Sequence, residues 1–77
     1  MITLDEYKQK VIKKVARVLA KKRDANRQWD RDRYISYILG LLNGYDMTKG
    51  VRIKKETKKR LLVDIMVDSG VMAEVLV

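Results

Sequence analysis

Two sets of cations are the side chains of this 77-residue chain best suited to chemistry. Lys10, Lys13, Lys14, Arg17 and Lys21 recur three and four residues apart, the spacing that places side chains on one face of a helix. Lys10–Lys14, Lys13–Arg17 and Arg17–Lys21 are like-charge pairs four apart, with no acidic residue between the first and last of the row. Each such pair costs a few tenths of a kcal/mol on an isolated helix. Lys54, Lys55, Lys58, Lys59 and Arg60 form the second set. In the first turns of a helix they oppose its dipole, and a phosphate bound there would be held by the dipole and the lysines together. Both sets suit a polyanion: DNA, RNA or a ribonucleoprotein. An acidic host protein is the other partner they fit. The plainer reading is that they are solvated faces that keep a small protein soluble.

A third group is Trp29 with Arg27, Arg31 and Arg33. Trp29 either caps the end of a helical bundle with arginine stems over its ring, or is a partly exposed aromatic suited to base stacking or to a protein hot spot. If the segment is helical, Trp29 points away from the face that carries Tyr34. Catalysis has little to work with. Cysteine and histidine are absent, which removes the commonest zinc ligands and the commonest general base. Asp30, Asp32, Asp64, Asp68 and Glu74 have no companion nucleophile, and Asp46 stands alone. Glycine-rich phosphate loops, serine elbows and calcium loops are absent. The expectation is a non-enzymatic protein with no metal and no cofactor.

Eighteen Lys+Arg against ten Asp+Glu give a net charge of +8. That excess attracts polyanions and accelerates association with them, but it says nothing about fold. The length suits one domain over residues 1–77, with a core of marginal stability unless it packs well or the chain oligomerises. No segment has the apolar core of a signal peptide or the length of a membrane span. With no cysteine, the expectation is a cytoplasmic protein.

These cations need elements to carry them, and the densest apolar run, YISYILGLLN at positions 34 to 43, is what those elements would pack on. At helical period, Tyr34, Ile35, Ile38, Leu41 and Leu42 share a face that Tyr37 and Leu39 widen. Ser36, Gly40 and Asn43 fill the remaining side, facing either water or a close neighbour. Gly44 reads as the C-terminal stop. Upstream, Thr3 and Glu6 read as a capping box, with Asp5 beside them in the first turn. Leu4, Tyr7, Val11, Ile12, Val15, Val18 and Leu19 then form the apolar face of a helix over about 4 to 22. Carried forward at 100° per residue, this stripe lies more than a quarter-turn from the Tyr34 stripe. A break near Asp24 to Asn26 is therefore expected, with the two helices packed as a hairpin.

The sequence GYDMTKG, 44 to 50, reads as a loop. Residues 51 to 55, VRIKK, alternate in polarity and fit either a short strand or the first turns of a third helix. That helix is expected over about 56 to 69. Leu61, Leu62, Ile65 and Met66 lie on one face and Val63 and Val67 on another, so it too would be covered twice. Ser69 and Gly70 end it. Val71, Met72, Val75 and Leu76 fit a short apolar helix, tucked onto the core or serving as an assembly surface.

Residues 50 to 70, GVRIKKETKKRLLVDIMVDSG, resemble the strand-then-helix opening of ribbon-helix-helix repressors. The resemblance covers about a quarter of the chain. It implies a dimer whose strands enter the major groove, with Arg52 and Lys54 toward the bases and Val51 and Ile53 packed inward. The family's second helix is a full one, whereas seven residues follow Gly70 here. The expected fold is therefore all-α: a small three-helix bundle, a hairpin plus a third helix, with a short apolar C-terminal segment. The expected function is nucleic-acid or ribonucleoprotein binding in an accessory role. The alternatives are a phage-like inhibitor or adaptor docking on an acidic host protein, a homo-oligomeric assembly unit such as a homodimer, or a truncated ribbon-helix-helix-like DNA binder.

Overall fold

In a computed structural model of the chain, residues 3–49 and 53–75 are described, and all four of their regular elements are helices. The first, α1 (Leu4–Asp24), starts where the sequence places its cap: Thr3 is extended and its hydroxyl accepts from the Glu6 N–H at 3.1 Å. It ends at Ala25 and Asn26. Asn26 takes φ 54°, the left-handed conformation that asparagine tolerates better than most residues. The Arg27 N–H then closes on the Lys22 carbonyl at 2.8 Å. This is the break the mismatch of apolar stripes requires.

Asp30 caps the second helix, α2 (Arg31–Lys49): its carboxylate accepts from the Arg33 N–H at 2.8 Å. Gly44 does not stop the helix, and residues 44 to 49 are helical rather than a loop. The reason is tertiary. The Tyr45 ring packs against Tyr7 of α1 with centroids 4.8 Å apart, and the Tyr7 hydroxyl donates to the Leu41 carbonyl at 2.5 Å. A glycine inside a helix costs about 1 kcal/mol, and contacts of this kind outweigh it.

Of residues 51 to 55, Val51 and Arg52 lie outside the described residues. Ile53 and Lys54 are neither strand nor helix, and Lys55 opens the third helix, α3 (Lys55–Asp68). Among the described residues there is no strand, so Lys54 is a helix cap residue and not a strand residue facing a groove. Buried Ile53 plugs the core instead. Ser69 and Gly70, the latter at φ 89°, end α3 as expected. The tail becomes α4 (Val71–Val75), whose Val71 is fully buried; Leu76 lies outside the described residues.

The four helices all touch one another. Their shared core comprises Val11, Val15 and Leu19 from α1, Tyr34, Ile38 and Leu42 from α2, and Leu61, Ile65 and Met66 from α3, closed by Ile53 and Val71. Two ion pairs tie α1 outward: Lys8 to Asp64 of α3 at 3.2 Å, and Arg23 to Glu74 of α4. Val63 and Val67 are exposed at 51% and 56%, so α3 is covered on one face and not on two. Gly40 is open to solvent, with nothing within 4 Å of where a Cβ would stand, and Ser36 is exposed too. No described helix is long and apolar enough to cross a membrane.

Candidate nucleic-acid interface

Helix α1 buries Val11, Val15 and Leu19, and the same 3.6-residue period turns Lys10, Lys13, Lys14, Arg17 and Lys21 outward. All five are exposed. None makes an ion pair or a side-chain hydrogen bond with another described residue. Glu6 and Asp24 stand beyond the two ends of the row and make no ion pair with it. Lys10, Lys13, Lys14 and Arg17 surround one hollow of about 280 Å³. Lys21 stands eleven positions after Lys10, so the row is about 16 Å long at 1.5 Å per residue.

The row also borders α2. Lys10 and Lys14 share a hollow with Tyr7, Val11 and Leu41. Lys14, Arg17 and Lys21 rim a larger groove of about 390 Å³ whose other walls are Val18, Ala20 and Tyr37. This groove has cations on its rim and an aromatic ring and aliphatic groups within it. The sequence pointed to its cations. It did not single out Tyr37, which read as the flank of an apolar arc; its place at the edge of that arc, where an amphipathic ring meets water, was the available signal.

The second set is only partly gathered. Lys54, Lys55 and Lys58 surround a hollow of about 470 Å³ with Ile53 at the start of α3. Lys59 and Arg60 are exposed on the helix but do not line it. Lys54 is the N-cap and offers no side-chain acceptor to the first turn, where Glu56 is the one acid. Lys58 donates to the Asn43 side chain of α2 at 2.9 Å. Leu41 borders the first row and Asn43 meets the second. Two residues along a helix are about 200° apart, so the two rows flank α2 on opposite sides.

Trp29 lies before α2, and its ring does not point away from the Tyr34 face. It packs on Tyr34 at 5.3 Å and edge-on to Tyr37 at 5.5 Å. Lys22 and Arg33 sit over the ring, each 5.1 Å from its centroid. Trp29 is thus the half-buried cap of this end of the bundle, with a lysine sharing the stacking expected of arginines alone. Arg27 and Arg31 are exposed, and neither is placed over the ring as a cation–π partner. Beneath it Tyr34 is fully buried and its hydroxyl donates to the Gln28 side chain. Burial raises the Tyr34 pKa above the ordinary tyrosine value, and nearby Glu74 raises it further. Arg23 and a backbone hydrogen bond at Trp29 oppose this. Burial also raises the pKa of Tyr7.

No protein-family model, curated protein or solved structure matches the chain.

Proposed function

We propose that this is a non-enzymatic nucleic-acid-binding accessory protein of the cytoplasm, with DNA, RNA or a ribonucleoprotein as its partner. The observation that carries the reading is the unpaired row Lys10, Lys13, Lys14, Arg17 and Lys21. Mutual repulsion along one helix face destabilises the free protein slightly, and an anion laid against the row relieves it. Lys54, Lys55 and Lys58, with Lys59 and Arg60 beside them, supply a second contact region across α2. Contacts to phosphate give affinity and orientation rather than sequence reading.

The test is a titration of labelled DNA and RNA at several salt concentrations. Log affinity should fall linearly with log salt, with a slope of roughly −0.9 per phosphate contacted on duplex DNA and about −0.7 on single strands. Reversing Lys13, Lys14 and Arg17 to glutamate should flatten that slope. Absence of binding by the wild type at low salt would remove the proposal. In that event the same cationic face, docked on an acidic host protein as an inhibitor or adaptor, is the reading to take up, by capture from a nuclease-treated lysate.

A further inference from the structure

We infer that the groove between α1 and α2 holds an unpaired nucleotide, so that the nucleic acid bound is single-stranded, with a base against Tyr37 and its phosphates on Lys14, Arg17 and Lys21. This rests on the proposal that the cationic face binds nucleic acid, and it names the form of nucleic acid.

The groove joins two features that a phosphate-only site does not need. Its rim is cationic, and its walls are the Tyr37 ring with Val18 and Ala20. Tyr37 is half-buried, and one side of its ring meets Trp29 at an interplanar angle of 71°. That contact helps hold the ring in place, and Tyr37 also lines the groove. A ring fixed in this way stacks on a base at little cost in side-chain freedom. A duplex cannot use such a wall, because its base faces are already stacked on their neighbours. Aromatic contact with a base face requires single strands, loops or ends. The volume of about 390 Å³ accommodates a group of nucleotide size. The cations continue beyond the groove to Lys10, which favours a polymer bearing a charge on every unit over an isolated acidic side chain.

Trp29 is the one tryptophan of the chain and lies 5.5 Å from Tyr37, so its fluorescence reports on the groove. Three ligands of equal length separate the alternatives: a normal single strand, an abasic strand with the same phosphates, and a duplex. The inference expects the normal strand to bind the wild type at least five-fold more tightly than the abasic strand, the lower end of what stacking one base gives. It should also bind more tightly than the duplex and change Trp29 emission on binding. Tyr37→Leu, with its fold checked by circular dichroism, should bring the normal strand down to the affinity of the abasic one. The abasic comparison needs no variant, so a Tyr37→Leu protein that fails to fold does not remove the test. Equal affinity for normal and abasic strands, or preference for the duplex, overturns the inference and leaves phosphate binding standing. No binding by any of the three overturns both.

Discussion

Among the described residues, Tyr7 and Tyr34 are the side chains whose ionisation the fold resists. Tyr7 donates to the Leu41 carbonyl and Tyr34 to Gln28, so each phenol is needed in its protonated form. Both pKa values lie above the ordinary tyrosine value of about 10 because burial disfavours the anion. A group whose folded pKa is raised contributes stability that is intact below its unfolded pKa and is lost as pH climbs through the folded one. Stability should therefore hold through neutral pH and fall above about pH 10. Ultraviolet absorbance of tyrosinate against pH, followed alongside circular dichroism, checks this. The two phenols should ionise late and together with loss of helix. Tyr7→Phe should remove part of that alkaline loss while costing about 1 kcal/mol at neutral pH, the typical worth of one hydrogen bond. Asp30 lies among Arg27, Arg31 and Arg33, yet its carboxylate is engaged with the Arg33 backbone N–H rather than with a guanidinium. Aspartate three residues before a helical N–H is a capping signal, so that role was legible in the spacing.

Helices divide into those that local sequence defines and those that contacts define. The two ends of α1 obey local chemistry, through the Thr3 cap and the left-handed Asn26. Helix α2 does not: it runs through Gly40 and Gly44 because α1, α3 and α4 all pack against it. The glycines then give opposite expectations. Gly40 is helical, exposed and free of neighbours, so Gly40→Ala should stabilise the protein by about 0.5–1 kcal/mol. Gly70 has φ 89°, and a Cβ there would meet Leu19 Cδ2 at 3.4 Å. Gly70→Ala should therefore destabilise by about 1–2 kcal/mol, the cost of left-handed backbone for a residue with a side chain. Chemical denaturation of both variants beside the wild type measures the two signs, and a Gly40→Ala protein weaker than the parent would contradict the account of α2.

Across the whole molecule, residues 71–75 of the tail pack onto the core. Val71 is fully buried, Glu74 pairs with Arg23, and α4 touches each of the other helices. An apolar C-terminal segment of this kind read equally well as an assembly surface, because composition alone does not say whether the surface it meets belongs to the same chain. Val71→Ala should lower the melting temperature by about 10 °C, taking about 2 kcal/mol for the lost burial and about 4–8 °C per kcal/mol in a domain of this size. Ending the chain after Gly70 should lower it further. Calorimetry gives the shift. Light scattering on the shortened chain should find the mass per particle unchanged wherever it remains folded, and a drop from dimer to monomer would restore the assembly reading. The two cationic rows are well apart in sequence and lie on opposite flanks of one helix, so a charge reversal in each should reduce the salt slope additively.

The all-α class, the α1 amphipathic face, the break after it and the unrelieved character of the first cationic row follow from residue spacing alone. Those features depend on spacing along one helix or on residues within a few positions of each other, and helical periodicity transmits them without help. Packing is needed to explain why α2 continues past Gly44, why Trp29 lies on Tyr34 and Tyr37, why Val63 and Val67 stay uncovered, and why Tyr37 lines a groove with Lys14, Arg17 and Lys21. Trp29 folds back onto the first turns of the adjoining helix, and the other features depend on which face of one helix meets which face of another. That is set by the packing of Tyr7 against Tyr45 and of the shared core, contacts between residues tens of positions apart that no local pattern records.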